Sequence, residues 1–151
     1  MGLARYTFDM SAVRILVVDD HEFVRRRLSS LLQSRPEFNV VSEASDGFQA
    51  VEKSKDLQPD VVVLDISMPG LSGLETAPRI RRVAPAAEIL FVSQHDTRSM
   101  VHEALSTGAR GYVLKSDAGT DLVNAVLAVS QHKEFLSHKL TQSGSPPSAS
   151  G

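Results

Sequence analysis

Short apolar runs alternate along this chain with segments of helical periodicity, and that alternation restricts it to very few folds. Residues 13–18 (VRILVV), 39–44 (NVVSEA), 60–64 (DVVVL), 88–92 (EILFV) and 111–114 (GYVL) predict five strands. Between and after them the spacing turns helical. Val24, Leu28, Leu31 and Leu32 mark a first helix, stopped by Pro36. Asp46 caps a second, through Leu57, with a thin apolar stripe at Ala50 and Val51. Ser72 and Glu75 form a capping-box pair for a third, with Leu74, Ala77 and Ile80 inward. Asp96 caps a fourth carrying Met100, Val101, Ala104 and Leu105, which ends at Gly108, and Leu122, Val126 and Val129 share one face of a fifth. Pro78, beyond the first turn of the third helix, predicts a kink or a late start there.

Strand-then-helix units joined by right-handed crossovers build a parallel sheet between two helical layers. The expected architecture is α/β, a doubly wound five-stranded sheet of flavodoxin-like order 2-1-3-4-5, with helices on both faces. At 151 residues and 42% hydrophobic the chain suits one domain with a real core, expected over residues 12–138. Residues 1–11 read as a flexible leader, and 139–151, rich in Ser, Pro and Gly, as a disordered tail or truncated linker. A net charge of -2 speaks against a coat for nucleic acid or an anionic membrane. Without cysteine there is no disulfide framework, thiolate metal site or thiol nucleophile. No apolar run approaches the roughly 18 residues of a membrane span, and no signal peptide is legible, so the expected location is cytoplasmic.

In open parallel sheets, ligands bind beyond the carboxyl ends of the strands. Directly after the apolar runs stand Asp19 and Asp20, then Asp65, Ser93, Lys115 and Ser116. Three close carboxylates repel one another unless a cation sits among them. Hard oxygen donors without His or Cys in the set favour Mg2+, and a lysine and a hydroxyl alongside suit phosphoryl oxygens. Each residue also has a plain structural reading. Asp19 or Asp20 could cap the first helix, Lys115 could be a solvated charge, and Ser93 a turn residue. Their convergence on one sheet edge makes the joint structural reading weak.

These residues resemble the receiver domain of two-component response regulators. The resemblance spans about 13–136 and rests on VVDDH, LDISMPGLSGLE, FVS and GARGYVLKSDA. DDHEFVRRRL, GARGYVLKSDA and FLSHKLT look most like receivers that precede a LuxR-type helix-turn-helix. The resemblance implies a phosphorylation switch, not an enzyme. Asp65 would accept a phosphoryl group from a sensor histidine kinase with Mg2+. Asp20 would bind the metal directly, Asp19 through water, and the Ser67 backbone carbonyl would complete the protein ligands. Ser93 would hydrogen-bond the phosphoryl group and Lys115 would pair with it. Tyr112 would be the aromatic switch partner of Ser93, Pro69 and Gly70 would shape the loop, and Ser67 and His95 would tune phosphoryl lifetime. Gln94, Pro78 and the missing helix-turn-helix depart from the pattern.

The remaining signals are weaker. The histidines His21, His95, His102, His132 and His138 include no pair at helical zinc spacing, and His21 reads as a surface residue near the acidic pair. No dinucleotide or P-loop motif appears. Arg25, Arg26 and Arg27, and likewise Arg79, Arg81 and Arg82, read as solvated faces. An Mg2+-dependent phosphohydrolase is the enzymatic alternative, but that class places its nucleophile after the first strand. A stand-alone receiver acting by protein–protein contact is the other. The expected output is transcriptional, through a DNA-binding domain absent from this chain, with homodimer formation on phosphorylation. No nucleic-acid or membrane contact is expected of the chain alone.

Overall fold

A computed structural model describes residues 12–142. Its elements, in chain order, are β1 (Val13–Val18), α1 (Glu22–Gln33), β2 (Phe38–Ala44), α2 (Gly47–Leu57), β3 (Val61–Leu64), α3 (Gly73–Val83), β4 (Glu88–Ser93), α4 (Arg98–Ser106), β5 (Gly111–Leu114), α5 (Ala118–Ser130), β6 (Phe135–Leu136) and α6 (His138–Gln142). All strand pairs are parallel and the order is β2-β1-β3-β4-β5-β6. The doubly wound parallel sheet is as expected, but it has six strands and not five. The added strand is too short to show a period in the sequence. It forms because Phe135 N–H donates to the Arg110 carbonyl, and because buried Ser137 clasps β5. Ser137 donates its N–H to the Tyr112 carbonyl at 3.0 Å, and its hydroxyl accepts the Leu114 N–H at 2.8 Å.

The apolar runs are buried on both faces, so their alternation divides the core in two. Leu16, Val18, Val62, Leu64, Ile89, Phe91 and Tyr112 pack with Ala50 of α2, Ala77 and Ile80 of α3, and Val101 and Ala104 of α4. Ile15, Val17, Val61, Val63, Leu90, Val92 and Val113 pack instead with Leu28 and Leu32 of α1, and with Leu122, Val126 and Val129 of α5. Half-buried Met100 packs against the first of these clusters.

The Asp46 cap and the Ser72–Glu75 capping box form as expected. The α4 cap moves by one residue, since Thr97, not Asp96, accepts the Met100 N–H at 3.2 Å. Pro78 neither delays nor ends α3, which runs from the Ser72 cap through to Val83. It lies on the exposed side of the helix, where the carbonyl it leaves without a partner can meet water. Asp60 stays outside β3 because its carboxylate accepts the Arg14 N–H at 2.8 Å. Residues 139–142 of the expected tail belong to α6, while the expected leader at 1–11 and the remainder from 143 lie outside the described residues.

At the amino end of β4, Glu88 is 8% exposed and pairs with Arg110 Nη2 at 3.2 Å and with His132 Nδ1. His132 has a φ of 63° and closes α5, its own N–H bonding to Val129 and that of Lys133 to Ala128. Burial alone would raise the Glu88 pKa, but the His132 and Arg110 contacts outweigh it and hold the carboxyl below its ordinary value. A depressed acid contributes stability that is complete above its unfolded value and is lost as pH falls through the folded one. Glu88→Gln should therefore cost about 1 kcal/mol at neutral pH, as expected for a partly screened charged hydrogen bond. Urea unfolding from pH 7 down to 3 checks this. The wild-type and variant curves should converge at the acid end, and a gap independent of pH would refute the assignment.

Candidate functional site

The carboxyl ends of β1, β3 and β5 bring Asp19, Asp20, Asp65 and Lys115 together. Ligand atoms of Asp19, Asp20, His21 and Asp65 all lie within 4.8 Å of one another. Asp19 is fully buried and Asp65 is 3% exposed. Lys115 Nζ stands 2.9 Å from Asp19 Oδ2 and 3.3 Å from Asp65 Oδ2. Those ion pairs lack hydrogen-bond alignment, and Asp19 Oδ2, Asp20 Oδ1 and Asp65 Oδ2 have no hydrogen bond. One ammonium cannot offset three carboxylates at this density. The cluster of Asp19, Asp20 and Asp65 could therefore hold a small divalent cation.

The backbone fixes each carboxylate. Asp19 donates its N–H to the Ala44 carbonyl at 3.1 Å, and its Oδ1 accepts the His21 N–H at 2.9 Å. Asp65 donates its N–H to the Val18 carbonyl at 3.1 Å, and its Oδ1 accepts from Ile66 at 2.8 Å, which leaves Oδ2 facing Lys115. Burial, and then the Asp19 charge, raise the Asp65 pKa against the opposing pull of Lys115. Burial alone would lower the Lys115 pKa, but contact with Asp19 and the Asp65 charge hold it above its ordinary value.

Neither Asp19 nor Asp20 caps α1. His21 is the cap residue, in extended backbone, and its side chain makes no capping bond. Two further residues border the cluster. His21 is a surface residue near the acidic pair, as expected, 68% exposed, with its Nδ1 3.2 Å from Asp20 Oδ1. The second, Arg25, escaped the sequence reading. Arg25 is not part of a solvated face. It is 15% exposed, its Nε donates to Glu43 at 2.9 Å, and its Nη1 donates to the Asp19 carbonyl at 2.9 Å. The i+4 pair of Arg26 with Glu22 is the exposed kind that sequence does foresee. Arg25 could have been separated from its neighbours only by knowing that β2 lies beside β1.

Ser67, Ser93, His95 and Tyr112 form a second, connected group. Ser67 Oγ lies 2.7 Å from His95 Nε2, joining the β3–α3 loop to the β4–α4 loop. The His95 N–H donates to Ser93 Oγ at 3.1 Å, and the Tyr112 hydroxyl donates to the His95 carbonyl at 2.7 Å. The Tyr112 ring is already fully buried, and burial raises its phenol pKa. Ser93 and Tyr112 both bond to the His95 backbone. Pro69 and Gly70 are exposed beside the site, Gly70 with a φ of 84° that favours glycine.

Among known proteins, the family model described as response regulator receiver domain matches residues 15–127. The transcriptional regulatory protein LnrK of Bacillus subtilis is 37% identical over 129 residues, which is 85% of this chain and 59% of LnrK. The nitrate/nitrite response regulator protein NarL of Escherichia coli is 37% identical over 127 residues, 84% of this chain and 59% of NarL. The chain thus spans a little under three fifths of the length of these curated relatives. A LuxR-family two-component response regulator from Aurantimonas sp. SI85-9A1 superposes with a TM-score of 0.84 at 34% identity, covering 93% of this chain and 98% of that one. The signal receiver domain of the putative response regulator NarL from Mycobacterium tuberculosis gives 0.77 at 37% identity, covering 82% of this chain and 99% of that domain. No helix among the described residues is long and apolar enough to cross a membrane. With the acidic cluster at the carboxyl edge of a doubly wound sheet and these matches over most of its length, the chain belongs to the response regulator receiver domains of two-component systems, close to the LuxR-type transcription regulators.

Proposed function

We propose that this receiver accepts a phosphoryl group on Asp65 from a sensor histidine kinase. The observation that carries the reading is the set of buried carboxylate oxygens left without hydrogen bonds beside Lys115. Asp65 Oδ2 attacks phosphorus, the phosphorus–nitrogen bond of the donor phosphohistidine breaks, and the electron pair leaves with the imidazole. Lys115 neutralises charge on the transferred group, and the Ser93 hydroxyl donates to it once released from the His95 N–H. Asp20, Asp65 and the Ser67 carbonyl, with Asp19 through water, would hold Mg2+, which would supply charge neutralisation to the phosphoryl oxygens. Ser67 and His95, joined across the mouth of the site, tune how readily water reaches the acyl phosphate. The test is mass spectrometry of the intact chain after incubation with acetyl phosphate. One phosphoryl adduct should form with Mg2+ and none with EDTA. No adduct, or one indifferent to Mg2+, overturns the reading.

The output we assign is control of transcription through a DNA-binding domain outside residues 12–138, with phosphorylation changing how receivers pair. The relatives named as transcriptional regulators support it, as does the packing of α1 to α5 against the sheet, which leaves none of them to enter a groove. Signal transfer runs from Ser93 through His95 to Tyr112 and α4. Ser93→Ala should accordingly still take up phosphate yet lose the amide shifts of residues 100–105 on phosphorylation, as read by NMR. Survival of the full shift in that variant refutes the route.

A further inference from the structure

We propose that His21 is itself a ligand of the divalent cation, through Nδ1, and that it biases the pocket toward borderline transition ions such as Co2+ over Mg2+. The proposal rests on the metal-dependent reading of the acidic pocket given above. His21 Nδ1 lies 3.2 Å from Asp20 Oδ1 and 3.5 Å from Asp19 Oδ1. Adjacent ligands of an octahedral ion with bonds near 2.1 Å stand about 3 Å apart, and opposite ligands about 4.2 Å. The 4.8 Å spread of the Asp19, Asp20, His21 and Asp65 ligand atoms is thus close to the size of one coordination sphere.

Four observations favour the imidazole as a donor there and not as a passing surface group. Its own backbone N–H is tied to Asp19 Oδ1 at 2.9 Å, so the residue is held against the carboxylate it would share the metal with. At the cap position of α1 its side chain makes no capping bond, which leaves Nδ1 available. Buried Asp19 turns Oδ2 to Lys115 and Oδ1 to His21, so the ammonium does not occupy the His21 side of the pocket. Asp20 Oδ1, next to that nitrogen, has no hydrogen bond. An imidazole nitrogen is a softer donor than carboxylate or carbonyl oxygen. It adds little to Mg2+ binding and strengthens binding of borderline ions such as Co2+ and Ni2+.

The experiment is calorimetric titration of the full chain with MgCl2 and with CoCl2, together with pulsed EPR of the Mn2+-loaded chain for coupling to a directly bound nitrogen-14. Wild type should show the coupling. His21→Ala and His21→Gln should lose it, and His21→Ala should weaken Co2+ about tenfold while moving Mg2+ less than about threefold. The Gln variant offers an oxygen and should retain Mg2+ affinity. Absence of nitrogen coupling in wild type overturns the proposal, as does equal weakening of both ions by His21→Ala, which would make His21 only a positioning residue. If neither ion binds the wild type, or if Asp20→Asn binds both as tightly, the pocket is not the metal site and the phosphoacceptor reading falls with it.

Discussion

Asp65→Asn is expected to eliminate the phosphoryl adduct formed from acetyl phosphate while leaving the protein folded and more stable. The amide presents no anionic oxygen to phosphorus, and no other carboxylate could take its place without rearrangement. Asp19 is held by the Ala44 carbonyl, the His21 N–H and Lys115, and Asp20 belongs to the metal side of the cluster. Asp20→Ala should lower labelling about a hundredfold, the scale on which charge stabilisation by a catalytic group operates. The stability change separates lost chemistry from lost fold. Burial and the neighbouring Asp19 both disfavour the ionised Asp65, so neutralising it relieves repulsion. We expect a gain of about 1 kcal/mol in EDTA, raising the midpoint by roughly 2–4 °C for a domain of this size. Intact-mass analysis and scanning calorimetry read the two effects. Undiminished labelling of the variant at another residue would remove Asp65 from its role.

How far this site is legible from sequence depends on what each residue answers to. Asp19, Asp20, Asp65 and Lys115 follow directly from where apolar runs end, because a parallel sheet delivers every strand end to one edge. The runs themselves are continuous because both faces are covered, and the two core clusters bear that out residue by residue. What escaped depends on neighbours distant in sequence. Arg25 differs from Arg26 and Arg27 only because Glu43 and the Asp19 carbonyl face it across two strands. β6 has two residues, and its reason for pairing lies in Ser137 meeting the backbone of Tyr112 and Leu114. The α4 cap fell between Asp96 and Thr97, two adjacent residues of equal aptitude, and geometry chose Thr97. Pro78 does not delay α3, which starts at the Ser72 cap and is anchored by buried Ala77 and Ile80 on either side of it.

The link between Ser93 and Tyr112 is likewise made by backbone, invisible in composition. His95 holds three bonds at once: its N–H to Ser93, its carbonyl from Tyr112 and its ring to Ser67. Drawing the Ser93 hydroxyl toward a phosphoryl group removes the acceptor of the His95 N–H. The loop must then find a new partner, and any shift of its carbonyl is felt by the buried phenol. The same loop leads into the Thr97 cap of α4, so a change at Ser93 reaches the helix within a few residues. Tyr112 in turn accepts the Ser137 N–H at its carbonyl, which ties Ser137 to the strand that carries Tyr112 and ends just before Lys115.

Gly73→Ala should be the most destabilising single-methyl change in the region of the site. A Cβ at Gly73 would lie 2.0 Å from the Asp65 carbonyl oxygen, 2.8 Å from Ile66 Cα and 2.9 Å from the Asp65 carbonyl carbon. All three are backbone atoms, so no rotamer change can relieve the contact. Nor can the two segments part easily. The Gly73 N–H donates to the Ile66 carbonyl at 2.7 Å, and Asp65 is held to the Val18 carbonyl at 3.1 Å. Behind Gly73, α3 is anchored by the Ser72–Glu75 capping box and by fully buried Ala77 and Ile80. Either α3 lifts from the sheet or the end of β3 moves, and overpacking against backbone costs about 3 kcal/mol or more. The thermal midpoint should fall by roughly 6–12 °C at that cost. Molecules that remain folded should label more slowly, because a displacement of Asp65 near 1 Å is enough to cost about a hundredfold in rate. Gly119→Ala is the control. Its Cβ would meet only Arg27 Nη2, at 3.6 Å, and in the first turn of α5 alanine is the better helix former. That variant should be neutral or slightly stabilised. A Gly73→Ala protein with wild-type midpoint and full labelling would show that the approach of α3 to β3 does not constrain Asp65.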